Sequence, residues 1–443
     1  MLEHGQRKAF AALSFLAALS ATPRLMAQVT DCTELEANPD NGTVIYGSGG
    51  SAVTATLAQV ALYLANKPVE ERITVVFYDP GACQGYQQYL DNAITGNIPS
   101  TTIKYWTASS PAAGNTCTLA NPHAADFAHM GNPHDFCGFS ETLPEGYPNG
   151  WGTLLAPIQT LNIIVDKDSS QKSISAEALY YIYGLGAVEA NIEPWIYPSD
   201  IVFRQTSSFV HQLLATAIFN NDEQPFFDDP AANGQGDGTL GNGRLGFRST
   251  TNGGVVTRVA ATNNQNAQSS IGFASGSAAE TTTARQSVKT LAYQHYDQEL
   301  GYWPDSTESS LDKANVRSGK YHLWSPGHFY ARVDGGAPVD DQGNITDRDT
   351  VQNAAVRELF RLFTTAEDEE ALRRIIAAGD IPLCASNVTR DGLLGAISSV
   401  APPDPCHGFF ESVATGSTSG ACSNDDECSS GLPKCRHGFC EAY

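Results

Sequence analysis

The stretch TVIYGSGGS, residues 43–51, determines the predicted fold. Its first four residues are β-branched or aromatic, which is typical of a short strand, and a turn rich in glycine and serine follows. Residues 52–64 carry Ala, Leu and Val at helical spacing, and ITVVFY at 73–78 is typical of a second, buried strand. Strand, glycine turn, helix and strand form a βαβ unit, so we predict an α/β fold with a mostly parallel sheet.

Three later segments complete the coarse prediction. TLNIIVD at 160–166 is predicted to be a strand, and residues 284–296 are predicted to be a helix. Residues 92–157 are rich in Gly, Pro and Asn, which indicates mainly loops. One core rarely serves 443 residues, so we expect two lobes or domains.

Composition and charge exclude several classes of protein. The chain is 41% hydrophobic and 17% charged, which is typical of a globular protein. Its 48 acidic residues outnumber 26 basic ones, giving a formal charge of −22. Nucleic-acid binding requires a concentrated basic face, and the sequence has no cluster of lysine and arginine. We therefore predict neither a nucleic-acid partner nor binding to an anionic membrane.

The N-terminal residues 1–28 have the layout of a secretory signal peptide. Arg7 and Lys8 precede an apolar stretch at 9–21, and a cleavage site lies near Ala27. This stretch is too short to span a bilayer, and no longer apolar run follows it. We predict export to the periplasm, the medium or the cell surface.

Ten cysteines agree with an oxidising compartment, where even numbers of cysteines pair. We predict disulfides rather than zinc sites, because the chain has no Cys-x-x-Cys pair. Connectivity does not follow from spacing, and our best guess is Cys32–Cys83, Cys117–Cys137 and Cys384–Cys406, with two more bonds among Cys422, Cys428, Cys435 and Cys440. Residues 413–421 are predicted to be a flexible linker, and 422–443 a small disulfide-rich tail.

The glycine turn after the first strand is a candidate anion site. Backbone N–H groups at the start of a helix lack internal partners, and the helix dipole is positive there. Glycines allow an anion to approach, and serine hydroxyls add donors, so Ser48, Gly50, Ser51 and Ala52 are candidate ligand-binding residues. An ordinary tight turn with a serine cap explains the same motif equally well.

Other interpretations of this turn fit less well. A P-loop requires a Gly-Lys-Ser/Thr ending, and a nucleophile elbow requires Gly-x-Ser-x-Gly; both are missing. Gly47-x-Gly49-x-x-Ala52 matches the dinucleotide fingerprint formally, which keeps a dinucleotide-binding oxidoreductase as a weaker alternative. The histidines at 123–134 lack the spacing of a zinc enzyme, and we predict no metal and no cofactor.

A second turn has similar chemistry. Arg204 ends a predicted strand and is followed by Thr206, Ser207 and Ser208 at the start of a predicted helix. A guanidinium can grip two oxygens of an oxyanion, and the hydroxyls add donors. Two such turns, distant in sequence, favour one shared anion site over two unrelated surface features.

The order of these motifs resembles the periplasmic phosphate-binding protein family of ABC uptake systems. Besides the two turns, the resemblance rests on the strand and Gly/Cys turn at 75–85, on ADF at 125–127, on IGF at 271–273 and on GKYHLW at 319–324. It implies a two-lobed type II periplasmic-binding-protein fold. Lobe 1 would comprise 29–160 and 320–412, lobe 2 would comprise 161–319, and the chain would cross near 158–165 and 319–330.

The resemblance carries a ligand-binding role over to Ser51, the backbone of Ala52, Arg204, and Ser207 or Ser208. Other family positions differ: Ala82 replaces a serine, Gly131 a ligand-accepting aspartate, and Phe209 and Val210 a glycine and a threonine. A buried carboxylate accepts the proton of hydrogen phosphate. Its replacement leaves phosphate selectivity without a source in the motif, so the ligand's identity stays open.

The leading hypothesis is an exported solute-binding protein, not an enzyme, that binds a small oxyanion such as phosphate between two lobes for ABC-type uptake. An ABC permease or a surface protein is the expected protein partner. The alternative is a surface or adhesion protein on a non-binding scaffold of the same fold, in which the cysteine-rich tail contacts the partner.

Overall fold

The computed structural model describes residues 31–92, 98–137, 151–185, 192–219, 236–239, 245–261, 267–332, 347–390, 392–429 and 431–442. The predicted export signal at 1–28 lies outside these residues. Within the described ranges, no helix combines the length and the apolar character that crossing a bilayer requires.

The strands are β1 (Thr43–Gly49), β2 (Ile73–Tyr78), β3 (Thr102–Trp106), β4 (Asn115–Thr118), β5 (Phe127–Met130), β6 (Trp151–Asp166), β7 (Ser173–Ser175), β8 (Val202–Arg204), β9 (Gly236–Thr239), β10 (Leu245–Ser249), β11 (Ile271–Ser275), β12 (Val288–Thr290), β13 (Ala292–Gln294), β14 (Trp324–Arg332), β15 (Val388–Arg390), β16 (Ile397–Ser399), β17 (Lys434–Arg436) and β18 (Phe439–Glu441). The α-helices are α1 (Thr33–Ala37), α2 (Thr54–Ala65), α3 (Ala82–Asn92), α4 (Ala176–Leu179), α5 (Phe209–Ile218), α6 (Asn252–Ala260), α7 (Gly276–Ala279), α8 (Ala314–Arg317), α9 (Asp347–Thr364), α10 (Glu369–Ala377) and α11 (His407–Thr415).

In the described part of the chain, nine strands form one mixed sheet in the order β11-β6-β14-β5-β1-β2-β3-β4, with β12 also beside β6. The predicted βαβ unit is present, because β1 and β2 run parallel and α2 connects them. β5 lies parallel to β1 on its other side, and the remaining pairs are antiparallel. The α/β class is confirmed. The prediction of a mostly parallel sheet is wrong, because short connections such as that between β3 and β4 permit only antiparallel pairing.

β6 is 16 residues long and is shared by two groups of strands. Its first part, 151–160, pairs with β14, whereas 161–166 pair with β11 and β12. A bridge between Ile201 and Ile271 connects the separate sheet β8-β10-β9 to β11. The turn after β1 and the turn after β8 therefore belong to different groups of strands. The lobe boundaries and the two crossings stay predictions.

Two of the coarse predictions are wrong. The predicted helix at 284–296 consists of a 3₁₀ turn at Ala284–Gln286 followed by β12 and β13. β12 pairs with the end of β6, and Val288 is buried there, so tertiary pairing outweighs the helical spacing. The predicted loop region 92–157 contains β3, β4, β5 and the start of β6. β5 is only four residues long, too short for its periodicity to identify it.

The structure has five disulfides, and their connectivity differs from the prediction at two of them. Cys32 pairs with Cys117 and Cys83 with Cys137, which corrects the guessed Cys32–Cys83 and Cys117–Cys137. The reason is topological: Asp31 bridges Thr118 at the edge strand β4, while α3 packs on β5. The predicted Cys384–Cys406 bond is confirmed.

The C-terminal tail holds the other two bonds, Cys422–Cys435 and Cys428–Cys440, as the count predicted. The tail packs on the rest of the chain, because the buried Glu441 carboxylate accepts a hydrogen bond from the Gly408 N–H at 2.7 Å. The predicted linker at 413–421 is partly wrong, since α11 continues to Thr415. A role for the tail in binding a partner stays a prediction.

Candidate functional site

Arg204 ends β8 and is almost completely buried, with 1% of its surface exposed. Its Nε donates to the Ser249 carbonyl at 3.1 Å, and its Nη2 donates to the Thr250 carbonyl at 2.8 Å. These two carbonyls fix the plane of the guanidinium. Nη1 is buried and has no hydrogen-bond partner among the described residues.

Ser51 receives the third hydrogen bond of this guanidinium. Arg204 Nη2 donates to Ser51 Oγ at 3.3 Å, although the two residues are 153 positions apart. Ser51 lies in the turn between β1 and α2 and does not cap the helix, whose N-cap is Val53 without a side-chain hydrogen bond. The structure thus brings together the two turns that the sequence analysis singled out.

The turn after β2 completes the junction. Gly81 has φ +127°, and a Cβ atom added there would lie 2.9 Å from Ser207 Oγ. The turn after β2 therefore packs directly against the turn after β8, and only glycine fits at this position. Asp79 in the same turn raises the pKa of Arg204, and its carboxylate pairs with Lys104 at 3.4 Å.

The electrostatics follow from burial. Desolvation lowers the pKa of Arg204 to about 9, with Asp79 opposing the shift, so the guanidinium stays charged at neutral pH. The next helix contributes His211, whose Nδ1 donates to the Arg204 carbonyl at 2.6 Å. Burial and the Arg204 charge lower the pKa of His211 to about 4, although the hydrogen bond to the Arg204 carbonyl raises it. At neutral pH this region therefore carries a buried cation beside a neutral histidine.

The other predicted site residues have different neighbours. Ser48 is buried on β1, and its Oγ donates to Gln88 Oε1 on α3 at 3.2 Å. Gly50 lies against Ala82, the first residue of α3. The Ala52 carbonyl accepts from Gln159 on β6, and Ser208 is the buried N-cap of α5 without a side-chain capping bond.

Sequence reasoning missed two buried residues behind the first turn, Gln159 and Asp380. Gln159 Nε2 donates to the Ala52 carbonyl at 3.3 Å and to Asp380 Oδ2 at 3.4 Å, while Oε1 has no partner among the described residues. Thr56 on α2 donates to the same carboxylate at 2.5 Å. Burial raises the pKa of Asp380 to about 7 despite both hydrogen bonds. The lone acidic residue in the small and apolar stretch AAGDIPL was the available signal.

The glycines of the formal dinucleotide fingerprint do not form a cradle. Gly47 and Gly49 lie within β1, where added Cβ atoms would meet the Phe127 ring at 2.3 Å and the His129 carbonyl at 1.8 Å. Their small size permits close packing of β1 on β5. They are therefore strand residues rather than parts of a phosphate-binding turn, which removes the basis of the oxidoreductase alternative.

Comparison with solved structures finds chains whose backbones align with most of this chain at low sequence identity. A substrate-binding protein assigned to a phosphate ABC transporter of Clostridium perfringens, solved with bound phosphate, has 11% identity and a TM-score of 0.46; the match covers 77% of this chain and 100% of that one. An ABC-type phosphate transport receptor from Vibrio cholerae has 14% identity and a TM-score of 0.43, and the match covers 76% of this chain and 99% of the receptor. A human phosphate-binding apolipoprotein has 13% identity and a TM-score of 0.44, and the match covers 76% of this chain and 91% of the apolipoprotein. No family model and no curated protein matches the chain.

Proposed function

We propose that this chain is an exported solute-binding protein that binds a small oxyanion, such as phosphate, between the turns that carry Ser51 and Arg204. The observation that supports this proposal is the buried guanidinium, which donates to Ser51 and keeps Nη1 without a partner among the described residues. A buried charge is costly unless it is paired and hydrogen-bonded. An oxyanion would supply both the opposite charge and the acceptor oxygens.

Further donors lie around the guanidinium. Ser51 Oγ accepts from Arg204, so its own hydroxyl proton can be donated to a ligand. Ser207 lies beside Gly81 in the facing turn. α2 and α5 both begin at these turns with 12 and 10 residues, and their first N–H groups favour an anion.

The mechanism in this proposal is capture without chemical conversion. The two turns belong to groups of strands that share β6, and movement of one group against the other would open and close the site. The export signal predicted at 1–28 places this binding in the periplasm or at the cell surface. An ABC permease is the protein partner that such a role requires.

The test uses two substitutions at one position. Ser51→Asp places a carboxylate beside Arg204 and should abolish oxyanion binding, because the new charge takes the place of the ligand. Ser51→Asn is the neutral control of matched size and should keep binding within about tenfold, the loss of one hydrogen bond. Calorimetric titration with phosphate, sulfate, molybdate and tungstate measures the affinity of both variants and the wild type.

Thermal unfolding provides a second readout. A ligand at 100 times its Kd stabilises the folded state by about 2.7 kcal/mol, which appears as a raised Tm. If none of the four anions shifts the wild-type Tm, or if Ser51→Asp binds as tightly as the wild type, the oxyanion proposal is wrong.

A further inference from the structure

A cavity of about 410 Å³ lies where the end of β6 meets β12 and the segment between β13 and α8. Four basic side chains line it: Lys167 and Lys172 in the turn after β6, Arg285 just before β12, and Lys289 on β12. The whole chain has 26 basic residues against 48 acidic ones. Four basic side chains around one cavity therefore reverse the charge of the protein locally.

The acidic side chains of the cavity do not neutralise this group. Glu280 and Asp305 also line the cavity, but both bind the buried Lys313 ammonium, Asp305 at 3.1 Å. Burial raises the pKa of Asp305 to about 7, so Lys313 balances most of the negative charge of the two carboxyl groups. Among the described lining residues, Glu308 is the one remaining carboxylate, and it contacts Lys172 at 2.9 Å.

The basic side chains lie close enough to affect one another. Lys289 has only 8% of its side chain exposed and donates to the Ser169 carbonyl at 2.5 Å. Burial is the main cause that lowers its pKa, and the charges of Lys172 and Lys167 lower it further, against the attraction of Glu308. The charges are therefore crowded, and an additional anion in the cavity would relieve their repulsion.

Trp303, one of the lining residues, also carries a neutral donor that lacks an acceptor among the described residues. The Nε1 atom of Trp303 is buried, and within the described part of the chain it has no hydrogen-bond partner. A buried N–H without an acceptor costs free energy, so a ligand oxygen that reaches this N–H would be stabilised. Charge and a free donor thus point to the same kind of ligand.

We propose that this cavity is a second ligand site, which binds a compact anion with two or more oxyanion groups, such as pyrophosphate. Its volume falls in the range of small-molecule sites, about 300–1,000 Å³. Four cations that face one carboxylate favour a multivalent ligand over a single charge. None of its lining residues belongs to the Ser51–Arg204 site, so the second site does not depend on the function proposed there.

The experiment titrates pyrophosphate into the full chain that carries Ser51→Asp, which blocks the first site. Calorimetry at low ionic strength should detect one bound pyrophosphate. Adding Lys167→Gln and Lys172→Gln should weaken this binding about tenfold, because each exposed charge pair contributes up to about 1 kcal/mol. The matched control, Lys320→Gln with Lys434→Gln, removes the same charge from positions that do not line the cavity, Lys320 exposed and Lys434 half-buried, and should change the affinity less than twofold.

A second variant tests the neutral donor. Trp303→Phe keeps an aromatic ring but removes the N–H group, and should weaken pyrophosphate several-fold without changing net charge. The proposal is overturned if the Ser51→Asp protein binds no pyrophosphate, or if both lysine pairs weaken binding equally, which would indicate attraction by net charge alone. Failure of the first site would appear separately, as phosphate binding that Ser51→Asp leaves unchanged.

Discussion

Replacing Asp380 by asparagine should remove a pH dependence of stability that the fold creates. Asp380 is 3% exposed, and burial raises its pKa from 3.8 to about 7. Between these two values the folded state binds more protons than the unfolded state. The free energy of unfolding therefore falls as the pH rises through this window.

The pKa difference sets the size of the effect. A shift from 3.8 to about 7 corresponds to about 4 kcal/mol over the whole window, since one pKa unit is about 1.4 kcal/mol. Between pH 5 and pH 8 the free energy of unfolding of the wild type should therefore fall by about 3 kcal/mol because of Asp380. Asp380→Asn cannot ionise, and the amide oxygen still accepts from Thr56, so the variant should not show this loss.

Urea unfolding in phosphate-free buffer at several pH values between 5 and 8 measures the difference. The free energy of unfolding of Asp380→Asn should rise relative to the wild type by about 3 kcal/mol from the lowest pH to the highest. Asp404→Asn, at an exposed position, is the control and should stay parallel to the wild type. If the curves of Asp380→Asn and the wild type are parallel, Asp380 does not ionise with a raised pKa and the argument from burial is refuted.

Two further substitutions test the contacts between segments. Gly81→Ala would introduce a Cβ atom 2.9 Å from Ser207 Oγ at a φ of +127°. Calorimetry should therefore show oxyanion affinity reduced at least tenfold. The control Gly253→Ala, whose Cβ would meet no atom within 4 Å, should leave the affinity unchanged. Glu441→Ala leaves the Gly408 N–H of α11 without its acceptor, at a cost of about 1–3 kcal/mol. Limited proteolysis should therefore release the tail faster from this variant than from the control Asp426→Ala, which changes an exposed residue. Equal rates of release would contradict docking of the tail through the Glu441 carboxylate.

The first βαβ unit could be predicted because its information is local. β2 has the bounds that the run ITVVFY predicted, and α2 begins within two residues of the predicted helix. β1 continues to Gly49, although the sequence indicated a turn from residue 47. The extension depends on β5, whose His129 carbonyl accepts from the Gly50 N–H at 3.0 Å, and no local pattern contains that partner.

For the candidate site, the sequence predicted which two turns meet but not what each of their residues contacts. The serine and arginine turns were expected to converge because both carry anion-binding chemistry and because of the family resemblance; strand order could not show it, since β1 and β8 belong to different sheets. Within the first turn, the individual roles were less accessible. Ser48 and Ser51 are both serines of one glycine-rich stretch, yet Ser48 contacts α3 and only Ser51 contacts Arg204. The difference arises because Ser48 lies within the strand, where alternate side chains face opposite sides, and Ser51 follows it.

Asp380 shows why the sequence argument on anion selectivity was incomplete. That argument sought the carboxylate at its place in a family motif, where this chain has Gly131, and concluded that phosphate selectivity had no source in the motif. The electrostatic requirement concerns distance in space. Thr56 and Gln159, 324 and 221 positions away in sequence, both hold the Asp380 carboxylate, and Gln159 links it to the Ala52 carbonyl of the first turn. A carboxylate with a pKa near neutrality therefore lies behind the turn that carries Ser51, supplied by a segment that no local motif could have connected to it.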